Sequence, residues 1–286
     1  MAWKHFRRMA VLPLVAILLA ACGSSSSSGS ASTDLLSIIK ARGYIVLGTQ
    51  TDDPPAAVLQ PDGTFKGFNI DMGEAVAKDL GVRIEYVTPS WAVMTAGNWS
   101  RRWDLVVNGM TITGKRQQVI AFSKPYNFIS AQFAASKVSG ITSIDQIAGK
   151  TVCVGTGTTY QLWLAGQLDL GTYNPKNSPP ANVKVITNEV ETVCAEAWKA
   201  GRNDSQAWLT AGYTVDDAIK AGLPVVKIGK PVFQAPLAAA ADKNGPDPTS
   251  LIAEVNKVIA RMQSDGSLSA DCIKWFGFDS TKQLAS

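Results

Sequence analysis

From residue 34 onward the sequence alternates short apolar runs with amphipathic runs, and it does so in two successive sets. In the first set Tyr44–Gly48 is an apolar run of strand length, and Met72, Val76 and Leu80 then follow at the four-residue spacing of one helix face. The second set begins at Thr151–Val154 with the same order of strand, loop and helix. Such alternation is typical of α/β folds with largely parallel strands, and its repetition predicts two lobes. Further strands are predicted at 83–87, 104–107 and 183–186, and further helices at 190–200 and 251–262.

The chain opens with the order of a secretory signal. Cations come first and an apolar or small stretch follows up to Ala21, too short for the roughly 20 apolar residues of a bilayer span. The segment that ends at Cys22 resembles a lipobox; the alternative is an ordinary cleavage site with a chance cysteine. Residues 23–33 are rich in serine and glycine, which predicts a flexible tether and favours the lipobox. We therefore predict a lipoprotein signal peptide at 1–22, lipidation at Cys22 and an extracytoplasmic, membrane-anchored protein.

Composition excludes several kinds of site. The only histidine is His5, inside the predicted signal, so histidine-based triads and most zinc sites are excluded from the mature chain. We expect no metal and no cofactor. The net charge of +4 includes the cations of the signal, and without them the chain is close to neutral. This balance gives no argument for nucleic-acid binding.

Three cysteines remain after Cys22. Cys153 lies in the strand predicted at 151–154, and Cys194 lies on the apolar face of the helix predicted at 190–200. In an oxidising compartment these two would form a bridge, and the alternative is two buried free thiols. We predict the Cys153–Cys194 disulfide, with Cys272 left reduced.

An anion site is predicted where Asn108–Thr113 leaves a strand and enters a helix. Thr113 is placed to be the N-cap, and Arg116 falls in the first turn. Free backbone N–H groups, the positive end of the helix dipole and a guanidinium fork all suit a carboxylate. The alternative is an ordinary surface arginine.

Two further segments are candidates for ligand contact. Gly155–Tyr160 repeats the order of strand, flexible loop, hydroxyls and helix start, but Tyr160 stands where a dinucleotide fingerprint needs a glycine. Trp91 lies where a loop leaves a predicted strand, and the residues alone favour core packing over ligand stacking.

Together these segments resemble the bacterial extracellular solute-binding proteins of the polar amino-acid type, family 3, which serve ABC importers. The resemblance extends from about Leu36 to Phe278, nearly the whole mature chain. The segments that carry it are Gly67–Met72, Trp103–Thr113 with Arg116, Phe122–Tyr126, Ile147–Val152, Gly157–Tyr160 and Asp265–Gly277.

The resemblance implies a type II periplasmic-binding-protein fold. In this fold two α/β lobes are joined by two hinge strands, the second lobe is inserted in the first, and the ligand lies in the cleft between them. We accordingly predict lobe 1 at 34–136 and 232–286 and lobe 2 at 137–231.

The resemblance also implies roles for individual residues. Arg116 would hold the ligand α-carboxylate with help from Thr111, and the Gly109 carbonyl would face the ammonium group. Trp91 would cover the ligand, and Thr158 and Thr159 would grip the carboxylate from the second lobe. The predicted ligand-binding set is Trp91, Gly109, Thr111, Arg116, Thr158, Thr159 and Thr210.

Two departures from the family pattern concern the ligand. The proline pair near the first strand is followed by alanines at 56 and 57, where the family usually has an aromatic. The family also places an aspartate late in the second lobe to pair with the ligand ammonium, but this chain has Trp208–Gly212 there, with no acid. A buried ammonium without a carboxylate partner is costly, so either Asp52 or Asp53 substitutes or the ligand lacks that group.

We expect a monomeric binding protein that captures an amino acid or a similar carboxylate and delivers it to an ABC importer permease. The alternative is an enzyme on the same scaffold, since the superfamily includes cyclohexadienyl dehydratases acting on prephenate-like acids. That activity needs a general acid in the cleft, and the sequence has none at the positions that the resemblance places there. A receptor sensor lobe would need a transmembrane segment and a signalling module, which the sequence lacks.

Overall fold

The computed structural model describes residues 34–283, and every element below lies in that range. The predicted signal peptide 1–22, the lipidation site Cys22 and the tether 23–33 lie outside the described residues. No helix within 34–283 is long and apolar enough to cross a membrane.

The helices are α1 Leu35–Arg42, α2 Phe68–Leu80, α3 Trp91–Ala96, α4 Gly114–Gln117, α5 Thr159–Leu164, α6 Val193–Lys199, α7 Gly212–Lys220, α8 Thr249–Ser264 and α9 Ser267–Phe276. The strands are β1 Tyr44–Gly48, β2 Asp52–Asp53, β3 Ala57–Leu59, β4 Phe65–Lys66, β5 Arg83–Val87, β6 Leu105–Thr111, β7 Ile120–Phe122, β8 Asn127–Ser136, β9 Thr151–Gly155, β10 Lys184–Asn188, β11 Ala207–Ala211 and β12 Val225–Asp242. Short 3-10 turns lie at Ile144–Ile147 and Gly171–Tyr173.

One sheet runs through the described molecule in the order β10, β9, β11, β8, β12, β6, β1, β5, and β7 also pairs with β12. At one end β1 pairs in parallel with β5 and β6, and at the other β9 pairs in parallel with β10 and β11. Between these ends β8 and β12 are antiparallel to each other and to their outer neighbours. The two parallel ends correspond to the two sets of runs in the sequence, so the predicted α/β two-lobed fold is confirmed.

Each lobe has its own hydrophobic cores. Lobe 1 has a core of β1 and β6 covered by α1, α2, α8 and α9, with a smaller cluster around Met94, Trp99 and Trp103. Lobe 2 has a core around Phe133 and Trp163 on one face of its strands and a second around Cys153, Cys194 and Trp208 on the other. The helical stripe predicted at 251–262 is the core-facing side of α8.

The strands β8 and β12 are the two connections between the lobes. Tyr126, just before β8, belongs to the lobe 1 core and Ala131 of β8 belongs to the lobe 2 core. Along β12 the side chains change back from the lobe 2 core at Ala235 to the lobe 1 core at Ala239. The predicted lobe bounds at 136/137 and 231/232 fall farther into lobe 2. We therefore propose 127–131 and 235–239 as the hinge positions.

Element ends follow local chemistry. Asp34 caps α1 by accepting a hydrogen bond from the Ser37 backbone N–H at 2.8 Å, and Gly43 ends that helix with a φ of 77°. The predicted strand Tyr44–Gly48 is confirmed residue for residue as β1. The helix predicted at 190–200 begins later, at Val193, because Glu189–Thr192 forms a loop over the cleft.

Cys153 of β9 and Cys194 of α6 form a disulfide, as predicted, and their Cα atoms lie 5.9 Å apart. Both sulfurs are buried in the second lobe 2 core. Cys272 is a buried free cysteine on α9, in agreement with its prediction as reduced.

Candidate functional site

A cleft with a cavity volume of about 260 Å³ lies between the lobes. Its wall includes residues from the ends of β1, β6 and β9, from the loop before α6, and from the starts of α3, α5 and α7. Six of the predicted ligand-binding residues line it, namely Trp91, Gly109, Thr111, Arg116, Thr158 and Thr159. Thr210 does not line it; its side chain is fully buried on β11 behind the wall.

Arg116 is the positive charge at the cleft wall. It is only 5% exposed, and its guanidinium donates from Nη1 to the Thr111 carbonyl at 3.0 Å and from Nη2 to the Gly157 carbonyl at 2.9 Å. Thr111 belongs to lobe 1 and Gly157 to lobe 2, so the guanidinium bridges the lobes. Burial lowers the pKa of Arg116 to about 10, which leaves the group charged at neutral pH. No carboxylate within the described residues lies within 4 Å of it.

The turn that carries Arg116 is shorter than the sequence suggests. Thr113 caps α4 as predicted, since its Oγ1 accepts a hydrogen bond from the Arg116 backbone N–H at 3.1 Å. However, α4 has four residues, a single turn, so little helix dipole is present. The positive charge that would attract an anion to this turn is therefore that of the Arg116 guanidinium group.

Trp91 lies both against the core and at the cleft wall. It opens α3 and packs against the cluster around Trp99, and it also lines the cleft, with the Arg116 guanidinium carbon 5.4 Å from its ring centre. The indole Nε1 is buried and has no hydrogen-bond partner among the described residues. The ring is therefore positioned by the core and borders the space beside Arg116.

The loop after β9 forms the lobe 2 side of the cleft. Thr158 caps α5: its hydroxyl donates to the Gly155 carbonyl at 2.8 Å and accepts from the Gln161 backbone N–H at 3.3 Å. The Thr158 hydroxyl is thus already hydrogen-bonded within the protein. Thr159, next to it, is buried and also lines the cleft. Opposite, Gly109 has a φ of 62° and its N–H donates to the Tyr126 hydroxyl at 3.0 Å, which presents the backbone of β6 to the cleft.

Four acidic residues line the same cleft, and two of them, Asp53 and Glu191, are partly buried, whereas Asp52 and Glu189 are exposed. Asp53 accepts a hydrogen bond from the Tyr213 hydroxyl at 3.3 Å, and burial raises its pKa to about 7. Glu191 accepts a hydrogen bond from the Thr210 hydroxyl, and burial together with the nearby charge of Asp53 raises its pKa to about 7. The alternatives drawn from the sequence, Asp52 or Asp53 as the substitute or a ligand without an ammonium group, did not include Glu191, which the loop before α6 brings to the cleft. Sequence reasoning missed Glu191 because the helix predicted at 190–200 included it, whereas the helix begins only at Val193.

No group of three or more metal-ligating side chains occurs within residues 34–283. The groups that line the cleft are the buried Arg116 guanidinium, the Trp91 ring, backbone atoms of β6 and several carboxylates. Such a set can hold a small molecule that bears both a carboxylate and a cationic group.

Known proteins resemble this chain over most of its length. The model of the bacterial extracellular solute-binding proteins, family 3, matches residues 45–278. The L-cystine-binding protein TcyJ of Escherichia coli (strain K12) is 31% identical over 284 residues, covering 99% of this chain and 100% of that protein. The ABC transporter glutamine-binding protein GlnH of Bacillus subtilis (strain 168) is 29% identical over 293 residues, covering 96% and 98% respectively.

A solved structure has the same fold. The ancestral amino acid-binding protein AncCDT-1, a precursor of cyclohexadienyl dehydratase, superposes with a TM-score of 0.71 at 26% identity. The match covers 84% of this chain and 99% of that one.

Proposed function

We propose that this chain, which belongs to the bacterial extracellular solute-binding proteins of family 3, captures an amino acid or a similar small carboxylate and delivers it to an ABC importer permease. The names of TcyJ and GlnH support this proposal, since one binds L-cystine and the other binds glutamine for an ABC transporter. The cleft and its charges supply the structural argument.

The environment of Arg116 is the observation that carries the proposal. Its charge is almost fully buried, and its two hydrogen bonds go to neutral carbonyls. A buried cation without an anionic partner is costly, and a bidentate carboxylate would remove that cost. A ligand carboxylate at Arg116 is therefore favoured by both geometry and charge.

Contacts across the cleft indicate how capture would stabilise closure. Arg116 of lobe 1 bonds to Gly157 of lobe 2, and Tyr213 of lobe 2 bonds to Asp53 of lobe 1. A ligand held by residues of both lobes binds the closed arrangement better than the open one, so it shifts the population towards closure. The permease would then recognise the closed form.

We place the protein outside the cytoplasm, anchored to the cell membrane by lipid on Cys22. The disulfide supports an oxidising compartment. A monomer suffices, since both walls of the cleft come from one chain.

A thermal-shift screen tests the function. L-cystine, L-glutamine, oxo acids of similar size and primary amines without a carboxylate are compared at equal concentration. Ligands that occupy the cleft raise the melting temperature by mass action, so the carboxylate-bearing solutes should raise it and the simple amines should not. Equal shifts with amines, or none with any amino acid of a complete panel, would contradict the proposal.

Dehydratase activity is the second candidate, and Glu191 is the observation that favours it. A carboxyl group with a pKa of about 7 inside a cleft is suited to act as a general acid. AncCDT-1, the precursor of a cyclohexadienyl dehydratase, has the same fold. Incubating the protein with prephenate-like acids and measuring product formation distinguishes the candidates, since a binding protein returns the acid unchanged.

A further inference from the structure

Glu191 reaches the cleft by a different route from the aspartate that the family places late in its second lobe. It lies in the loop between β10 and α6, and Thr210 of β11 donates a hydrogen bond to its carboxylate. The Gly155 backbone packs so closely that a Cβ there would lie 2.5 Å from Glu191 Oε1. Cys194, three residues later, ties the same loop to β9 through the disulfide. The carboxylate is thus held by Thr210 and packed against Gly155, and Glu191 lines the cleft.

Asp53 faces the same space from lobe 1. Burial, and after it the charge of Asp53, raises the pKa of Glu191, and burial followed by the charges of both carboxylates raises the pKa of Tyr160. Within the described residues no lysine or arginine nitrogen lies within 4 Å of either acid. Asp53 and Glu191 thus face one cavity from opposite lobes without a lysine or arginine beside either, and the exposed acids Asp52 and Glu189 line the same cavity.

We propose that Glu191 and Asp53, one from each lobe, share the ligand's ammonium group, so that capture places a cation between them. The inference rests on the proposed function and adds the ligand specificity of the cleft. A carboxylate that also bears an ammonium group should bind tightly, and the matching acid without the ammonium group should bind weakly. Thr210 is a positioning residue, which holds Glu191 and does not contact the ligand.

A structural role for the pair explains the geometry less well. Carboxylates that stabilise a fold are usually hydrogen-bonded or ion-paired so that their pKa falls, whereas burial raises the pKa of Asp53 and of Glu191 to about 7. Each acid has one hydroxyl donor, Tyr213 for Asp53 and Thr210 for Glu191. A bound ammonium supplies the missing positive charge and lowers both pKa values, which releases a proton near neutral pH.

The other groups around Asp53 and Glu191 do not obscure the titration of these two carboxyl groups near neutral pH. Tyr160 and Tyr213 line the same cavity and Tyr126 lies near it, and burial raises the pKa of each above its usual 10, so all three stay protonated near neutral pH. Residues 34–283 contain no histidine. A change in ligand affinity around pH 7 therefore reports the carboxyl groups. The charged and titratable groups near the pair are Asp52, Glu189, Asp217, Tyr126, Tyr160, Tyr213 and Arg116.

Calorimetry with two matched pairs of probes tests the inference. L-glutamine is compared with glutaramate, and L-cystine with dithiodipropionate; the second member of each pair keeps the carboxylates and lacks the ammonium groups. Each titration is run at about pH 5.5 and about pH 8, in buffers of different ionisation enthalpy so that released protons are counted. Wild type, Glu191→Gln, Asp53→Asn and the control Glu196→Gln, an exposed acid of α6, are compared.

For the wild type we expect the better amino acid to bind at least about 30-fold more tightly at the higher pH, which is the effect of one carboxyl group with a pKa of about 7, and to release at least one proton at about pH 6. The analogue without ammonium should bind at least tenfold more weakly. Glu191→Gln should lose at least tenfold in affinity and flatten the pH profile, Asp53→Asn should do so to a smaller degree, and Glu196→Gln should match the wild type.

Two results overturn the inference and leave the proposed function standing: equal affinity of an amino acid and its analogue, or wild-type binding without pH dependence and without proton release. If either variant fails to fold by circular dichroism, the wild-type pH profile and proton count still decide. A wild type that binds none of the four probes and no other amino acid contradicts the proposed function itself, and with it the inference.

Discussion

The disulfide between Cys153 and Cys194 gives a prediction whose size follows from the structure. It joins β9 to the first turn of α6, and both sulfurs are buried against Trp198 and Trp208. We choose the double variant Cys153→Ala, Cys194→Ala, which removes the covalent link and leaves no buried hydroxyl. The variant should fold, because the strands of lobe 2 remain paired, but it should be less stable.

The sequence separation of 41 residues sets the magnitude. Loop-closure entropy for a ring of that length stabilises the folded state by about 4 kcal/mol, because the link restricts the unfolded chain. For a protein of this size that loss lowers the melting temperature by roughly 10 °C. Cys272→Ala is the matched control, since it removes one buried sulfur without opening a ring.

Urea unfolding followed by tryptophan fluorescence, with and without a dithiol reductant, measures the effect. Reductant should destabilise the wild type and Cys272→Ala by about 4 kcal/mol and leave the double variant unchanged. The reasoning is refuted if the double variant unfolds within 1 kcal/mol of Cys272→Ala, or if reductant destabilises all three proteins equally.

Three further predictions concern other parts of the chain. Cys22→Ala should release the protein from the membrane fraction, and a protein that still sediments with membranes would remove the anchor. The pKa values of Asp53 and Glu191 are raised from 3.8 and 4.5 to about 7, so the stability they contribute is present below pH 4 and lost as the pH rises through 7. The ligand-free protein should therefore unfold at lower urea at pH 8 than at pH 5.5, and Asp53→Asn should reduce that difference. Gly109→Ala should cost about 1 kcal/mol or more in urea unfolding, because its φ is 62° and a Cβ would lie 3.1 Å from Leu237; stability equal to wild type would contradict this.

Much of the fold was predictable because its signals are local. The apolar run Tyr44–Gly48 indicates a strand by its own composition and length. The N-cap at Thr113 depends only on the residues of its own turn. The predicted disulfide needed only a strand and a helix on one lobe in an oxidising compartment. Each of these inferences depends on residues close together in sequence or on composition.

The acid pair was only half predictable, because its members meet through tertiary structure. Glu191 and Thr210 come from a loop and a strand that become neighbours only when β9 lies between β10 and β11. The aspartate expected from the family pattern would lie on β11, where this chain has Thr210. The carboxylate that Thr210 binds belongs to Glu191, which is distant from β11 in sequence. Asp53 was a candidate from the sequence, but its contact with Tyr213 depends on how the lobes meet.

The hinge positions were beyond sequence reasoning for another reason. In β12 a run of alanines at 238–241 is buried on both faces, so alternation of apolar and polar residues gives no mark of where one core ends. The crossing from one core to the other is set by which helices cover each face, and that is a property of the assembled sheet.

The central claim is that Arg116 holds a carboxylate of the ligand. Calorimetry on wild type, Arg116→Ala, Arg116→Lys and the control Lys115→Ala, an exposed neighbour on the same turn, tests it with the best amino acid of the thermal-shift screen. Truncating one partner of a buried charged pair costs about 2 to 5 kcal/mol, so Arg116→Ala should lose that much binding free energy. Arg116→Lys should also lose much of its affinity, since a point charge cannot replace the bidentate fork, and Lys115→Ala should bind like wild type. Equal affinities for wild type and Arg116→Ala, or a tightest ligand without any carboxylate, would contradict the claim.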